Sequence, residues 1–226
     1  LNTFDKKIAT DIALDIREAG RAKRDNKGKI LRDKNNTIIK KPGKLKFCKA
    51  VGWYIDEYKQ AQVSINLTNY KRTSIHKTFE EVRRQARKRG VRVTGSEIVG
   101  LIPKKSLISA GKYYLKKQDR STAIPDKNIL DIAIQSLGLS DIEIFDKNKK
   151  IIENLINKSQ ADLNNYSVSD FMDILSEGTP TPGGGSVSAL AGSLSMSLTS
   201  MVSNLSFQKK GLEEYRKQFI SIGELC

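Results

Sequence analysis

The chain has 226 residues, 40 Lys and Arg against 25 Asp and Glu, a formal net charge of +15 and two cysteines. That length allows one or two domains able to bury most of their unfolded apolar surface, and two cysteines exclude a disulfide framework and fit a reducing, cytoplasmic setting. The positive field favours an anionic ligand such as nucleic acid, an acidic membrane surface or a polycarboxylate, and it belongs to the first part of the chain, since residues 169–226 hold four Lys and Arg against six Asp and Glu.

The first 25 residues hold no apolar run bounded by a cleavage site, so no secretory leader is expected. Leu1 in place of Met, and a helical pattern still running at Ile220–Cys226, read as a piece of a longer protein. Thr3 can cap a helix whose stripe is Phe4, Ile8, Ile12, Ile16 and Ala19, with Gly20 as its stop. Arg21–Pro42 is rich in Lys, Asn and Gly and predicts a mobile basic loop or a small hairpin.

Gly43–Thr68 predicts two strands joined by a turn near Asp56–Lys59. In the second strand Val63, Ile65 and Leu67 alternate with Gln62, Ser64 and Asn66, the period of a half-buried strand. In the first, Phe47, Val51 and Trp53 form an apolar row taken as the packing face, and Cys48, Ala50 and Gly52 leave the other face small and open. The polar, open face reads as a ligand floor, against the plainer reading of a solvated sheet surface.

Thr73 or Ser74 starts a second helix with Ile75, Phe79, Val82 and Ala86 inward and the basic run Arg83–Arg89 outward to Gly90. A solvated face is the simpler use of that run. Val91–Ile98 is a further strand pattern. With one strand placed before Leu1, the order becomes βαββαβ, a ferredoxin-like α+β subdomain with one sheet face free. Pro103 opens a third helix, Ile129–Leu137 and Lys150–Ile156 give shorter ones, and Ser159–Ser169 reads as a linker. Beyond it, Asp170–Ser176 and a long Ser-rich helix predict the start of an all-α bundle that self-associates. The long helix has a stripe of Val187, Leu190, Leu194, Leu198, Met201 and Leu205, with Gly192 and Ser193 small enough for close helix contact. Val187–Gln208 carries too many Ser, Thr and Asn groups for a lipid-facing span, so no membrane is expected.

Chemistry-bearing motifs are few. Gly183–Ser186 precedes a helix but lacks the Lys of a phosphate loop, and Thr179–Pro182 before it cannot be a central strand, so it reads as a flexible helix start. His76 is the only histidine and sits beside Ile75, where a half-buried structural role is the simpler assignment. No Cys or His cluster has metal-ligand spacing, and no metal is expected. Basic charge on a ferredoxin-like order also fits an RNA-binding module without catalysis. Such modules stack bases on sheet aromatics, and Gln62–Leu67 has none.

Pro42–Tyr54 (PGKLKFCKAVGWY), Ala61–Asn69 (AQVSINLTN) and Val93–Leu107 (VTGSEIVGLIPKKSL) together resemble the C-terminal subdomain of glutamate formimidoyltransferase. Phe171–Ser206 (FMDILSEGTPTPGGGSVSALAGSLSMSLTSMVSNLS) resembles the opening of formimidoyltetrahydrofolate cyclodeaminase, its partner in the bifunctional enzyme. The resemblance implies residues 1–155 as the transferase subdomain with its first strand truncated, 156–168 as linker and 169–226 as the first part of the cyclodeaminase domain. It implies transfer of the formimidoyl group from N-formimidoyl-L-glutamate to tetrahydrofolate, in its polyglutamate form, giving 5-formimidoyltetrahydrofolate and L-glutamate. Cyclodeamination to 5,10-methenyltetrahydrofolate and ammonia follows, a step of histidine degradation in the cytoplasm. The segment Gly43, Lys44 and Leu45 matches the family's folate contact, and a glycine there would let backbone approach the ligand. The family's acid/base histidine lies in the preceding subdomain and its cyclodeaminase aspartate beyond Cys226, so no catalytic residue is expected in this chain. A homo-oligomer, completed by the N-terminal transferase subdomain and binding no nucleic acid, is the implied assembly.

Overall fold

In the computed structural model, residues 1–156 and 166–226 are described, and most of the expected linker lies outside them. Helix α1 (Lys6–Ile16) is capped by Asp5, whose carboxylate accepts from the Lys7 amide at 2.7 Å. The predicted cap Thr3 instead accepts from the Asp5 amide through its Oγ1, and Phe4 is 75% exposed, because the helix begins after it. Ala9, Ile12, Ala13 and Ile16 make the buried stripe.

Residues 21–42 form a small β structure, the hairpin alternative of the sequence reading. Its stem is β1 (Arg21–Ala22) paired antiparallel with β2 (Lys40–Lys41). Two successive loops repeat one design: Asp25 accepts from the Lys27 and Lys29 amides, and Asp33 from those of Asn35 and Thr37. Arg24 donates to the Gly28 carbonyl and Arg32 to that of Asn36, with Gly28 and Asn36 both at positive φ. The carboxylate and guanidinium satisfy each turn from within.

Strands β3 (Cys48–Ile55) and β4 (Gln60–Leu67) pair antiparallel from Cys48↔Leu67 to Ile55↔Gln60. Their faces are the reverse of the sequence reading in β3. Cys48, Ala50 and Gly52 are buried beneath α1, whereas Val51 and Trp53 are about half exposed. A Cβ on Gly52 would lie 2.2 Å from the Thr10 backbone nitrogen. The helix lies so close to the strand that only small residues fit between them, and the bulky row is turned outward.

Helix α2 (Ile75–Arg87) packs Val82 and Ala86 into the same core as α1, β3 and β4, with Ile65, Leu67, Val91 and Val93 at its margin. The expected strand Val91–Ile98 is not one. No ladder forms along it, so the described sheet at this core has two strands, and the arrangement is α+β with a helical C-terminal part.

A second core lies between α3 (Lys104–Lys117) and α4 (Asp126–Leu137), where Leu107, Ala110 and Tyr114 meet Leu130, Ala133 and Leu137. Gly111 permits the approach, since a Cβ there would sit 2.2 Å from the Ile129 carbonyl oxygen. The expected helix Lys150–Ile156 is divided into α5 (Lys147–Lys150) and α6 (Ile152–Ile156), with Ile151 buried and bridged to Ile102 between them. The last part holds α7 (Val168–Ser176), α8 (Gly184–Phe207) and α9 (Arg216–Leu225). Close contact of small residues occurs at Gly223, beside Ala123, Ser200 and Ser203, while Gly192 faces open space. Gly192 is therefore not the contact point that its neighbours in sequence suggest.

Candidate ligand site

The free face of the β3–β4 sheet combines two kinds of surface. Register places Lys49 opposite Asn66, Val51 opposite Ser64 and Trp53 opposite Gln62, so amide and hydroxyl groups stand beside an aliphatic and an indole side chain. A flat heteroaromatic ring can lie on such a floor and hydrogen-bond at its edge. Lys6 reaches one face of Trp53, its Nζ 5.8 Å from the ring centroid.

At the approach to β3 lies a basic cleft of about 560 Å³ lined by Lys44, Leu45, Lys46, Phe47, Arg72, Thr73 and Lys77. Thr73 closes it from below, its hydroxyl donating to the Lys46 carbonyl at 2.6 Å. None of these four cations forms an ion pair among the described residues. Four cations gathered in one cleft suit an acidic group on a ligand. Lys46, Arg72 and Lys77 were not singled out from the sequence, where the only signal was the general excess of positive charge.

Of the three residues expected to touch the ligand, Lys44 and Leu45 line this cleft and Gly43 does not. Leu45 is buried at 4% exposure, and its amide donates to the Ile16 carbonyl. Gly43 faces the end of α1, where a Cβ would come 2.1 Å from the Arg17 carbonyl oxygen. Its glycine is thus accounted for by packing. The Lys44 amide donates to the Asp15 carbonyl, so the strap to α1 presents the Lys44 side chain at the cleft.

The outer face of α2 behaves differently. Glu80 accepts from Arg83 and Lys117, and Glu81 pairs with Arg84 at 2.6 Å. Burial pushes both carboxyls up, but hydrogen bonds from these cations outweigh it and hold them below the usual range. Arg89 pairs with Asp15, so much of the basic run is neutralised locally. His76 stacks on Tyr113 with centroids 4.5 Å apart, and its Nε2 lies 3.0 Å from the Ser74 hydroxyl. Burial lowers its pKa below the ordinary range. Those contacts fit a packed histidine. Among the described residues no group of three or more His, Cys, Asp or Glu could hold a metal ion, and no helix is long and apolar enough to cross a membrane.

The comparisons with known proteins agree across both parts of the chain. Residues 1–157 match the family model described as formiminotransferase domain, and residues 167–225 match that described as formiminotransferase-cyclodeaminase. The formimidoyltransferase-cyclodeaminase of Dictyostelium discoideum is 40% identical over 211 residues, covering 92% of this chain and 36% of the relative. That of Gallus gallus is 34% identical over 211 residues, again 92% and 36%. A glutamate formimidoyltransferase of Streptococcus pyogenes serotype M1 is 44% identical over 77 residues, 34% of this chain and 26% of the relative. The chain spans about a third of the length of the two-domain relatives.

Proposed function

Because this chain belongs to the formiminotransferase-cyclodeaminase family, we propose that it supplies one wall of a folate site in a bifunctional one-carbon enzyme of histidine degradation. Its relatives' names give a formimidoyl transfer and a cyclodeamination, and the reading assigns them the following steps. A tetrahydrofolate amine attacks the formimidoyl carbon of N-formimidoyl-L-glutamate, the bond to the glutamate nitrogen breaks, and that nitrogen leaves with a proton. In the helical domain a second folate nitrogen closes on the same carbon and ammonia departs, leaving 5,10-methenyltetrahydrofolate. Residues 1–155 belong to the first reaction and 169–226 to the second.

The observation that carries this reading is the order of the two family matches along one chain. The site geometry supports it: the pterin would lie on the Val51–Trp53 floor with Gln62, Ser64 and Asn66 at its polar edge. A polyglutamate tail would run into the Lys44, Lys46, Arg72 and Lys77 cleft. The proton donor for glutamate release comes from the facing transferase subdomain, and the cyclodeaminase carboxylate from outside this chain. The intact protein works in the cytoplasm as a homo-oligomer. A basic RNA-binding module is disfavoured, because no relative found is a nucleic-acid-binding protein by name.

Equilibrium binding of a folylpolyglutamate to the intact protein tests the site. Lys44→Ala should raise Kd by the loss of one charge-assisted contact, about 0.5–3 kcal/mol at low salt and less as salt screens it. An unchanged Kd at low salt would remove Lys44 from the site. The 226-residue chain alone should release no glutamate from N-formimidoyl-L-glutamate and tetrahydrofolate, since general acid catalysis needs a donor within about 2.6–3.2 Å of the leaving nitrogen. Release abolished by His76→Ala would make His76 the donor instead.

A further inference from the structure

Residues 21–42 hold nine Lys and Arg against two Asp, so nearly half of the net charge of +15 sits on this one small β structure. Its stem and two loops meet at a ring of backbone bonds: Lys23 donates to the Ile39 carbonyl at 2.8 Å, Ile39 to that of Leu31 at 3.0 Å, and Leu31 to that of Lys23 at 2.9 Å. Among the described residues no side chain of this arm belongs to either hydrophobic core. The arm therefore has a defined shape that the cores do not call for.

Its charged groups divide into two sets. Asp25 and Asp33 are taken up by loop amides, Arg24 and Arg32 by the Gly28 and Asn36 carbonyls, and Arg21 by Asp11 and Asp15. Lys23, Lys27, Lys29, Lys34, Lys40 and Lys41 are all exposed, and none forms an ion pair among the described residues. A surface that only had to stay in water would mix both signs of charge. Six unpaired lysines on one arm instead make a field of one sign, which an extended anionic surface complements.

Side-chain chemistry selects among such surfaces. Nucleic acid is read through stacking aromatics and through Arg forks on base edges, but no aromatic lies between Arg21 and Pro42, and all three guanidinium groups are occupied. An ammonium is a compact point charge with no preferred plane of approach, and a cluster of about four to eight such cations suits the headgroups of acidic lipids. We propose that the arm is a peripheral membrane contact, whose six free lysines rest on the headgroups of an anionic phospholipid bilayer. The loop tips Asn26–Gly28 and Lys34–Asn36 carry no apolar side chain, so the arm touches the bilayer without entering it. Attachment of this kind is electrostatic and is weakened by salt.

Cosedimentation of the intact full-length polypeptide with lipid vesicles tests this. Mixed phosphatidylcholine–phosphatidylserine vesicles should bind it at low salt and release it as salt rises, and vesicles of phosphatidylcholine alone should not bind it. Lys23→Gln, Lys27→Gln, Lys29→Gln and Lys34→Gln together should weaken binding about a hundredfold or more, because each lysine close to such a surface contributes about fivefold. Removing the same number of charges elsewhere, by Lys105→Gln, Lys127→Gln, Lys209→Gln and Lys210→Gln at exposed positions, should weaken it less than about tenfold. Equal losses in the two fourfold variants would mean that total charge alone governs binding, and the arm would not be the contact. The single exchange Lys27→Glu, which makes the smallest demand on folding, should weaken binding about tenfold or more; unchanged binding would also overturn the proposal. Capture of poly(A) RNA or poly-L-glutamate by the parent, with no binding to the mixed vesicles, would make the partner a different polyanion and refute the bilayer.

Discussion

Two helices of this chain carry apolar stripes that meet opposite fates. In α1, Ala9, Ile12, Ala13 and Ile16 are at most 1% exposed, whereas in α8 Leu194 and Leu198 are each 58% exposed. The difference is the partner. α1 lies against β3, whose inward residues Cys48, Ala50 and Gly52 are small enough for near contact, while α8 meets α9 and the Ala123 turn through Ser200, Ser203 and Asn204. Asn204 donates to the Ala123 carbonyl at 2.5 Å, so a polar strip and not the leucine stripe makes the described contact. Periodicity thus states which helix face would gain from burial, but the neighbour decides whether that gain is realised.

The comparison is broken most severely at Gly52. Gly52→Leu places a side chain where even a Cβ meets α1 backbone, which cannot swing aside as a side chain can, and should cost about 3 kcal/mol. Urea unfolding followed by circular dichroism measures the loss. A shift within about 0.5 kcal/mol would mean that α1 stands off the sheet.

A paired substitution on the helical side sharpens the contrast. Gly223→Leu meets the Ala123 Cβ at 2.5 Å and should cost about 1–3 kcal/mol, while Gly192→Leu enters open space and should stay within about 0.5 kcal/mol. Thermal melts of the two variants side by side decide it. Equal destabilisation would show that the bare face of α8 is covered in solution.

The smallest effect concerns His76, on the α/β side. Burial lowers its pKa in the fold, with Glu80 opposing and Lys77 reinforcing, so the unfolded chain takes up a proton first as pH falls. The stability from the neutral imidazole is complete above the ordinary value near 6.5 and declines as pH drops below it. His76→Phe keeps a ring on Tyr113 and removes the titration. Between about pH 7.5 and about 5.5 its urea midpoint should fall less than the parent's; an identical fall would assign the acid sensitivity to other groups.

Much of the fold was legible before any coordinates. Alternation located β3 and β4, and Ser74 and Gly90 bounded α2 as expected. The basic character of the segment around Lys44 was legible too, although the cleft that gathers Lys44 with Lys46, Arg72 and Lys77 was not. Those residues come from the β3 approach and the entrance to α2, and nothing in local spacing brings them together. The matching loops at Arg24–Lys29 and Arg32–Thr37 went unread because the shared feature is a turn geometry held by Asp and Arg, not a hydrophobic period.

By itself the sequence determined most of the element types and the family, because helix and strand periods and long motifs are local properties of the chain. Tertiary structure alone decided which face of β3 is inward. Phe47, Val51 and Trp53 are the more hydrophobic row, yet Cys48, Ala50 and Gly52 lie under α1, since a helix can approach a strand that closely only over small side chains. It also decided that Val91–Ile98 forms no described ladder, because a strand exists only with a partner in register, and Gly43 is a glycine for the sake of Arg17, whose carbonyl leaves no room for a Cβ.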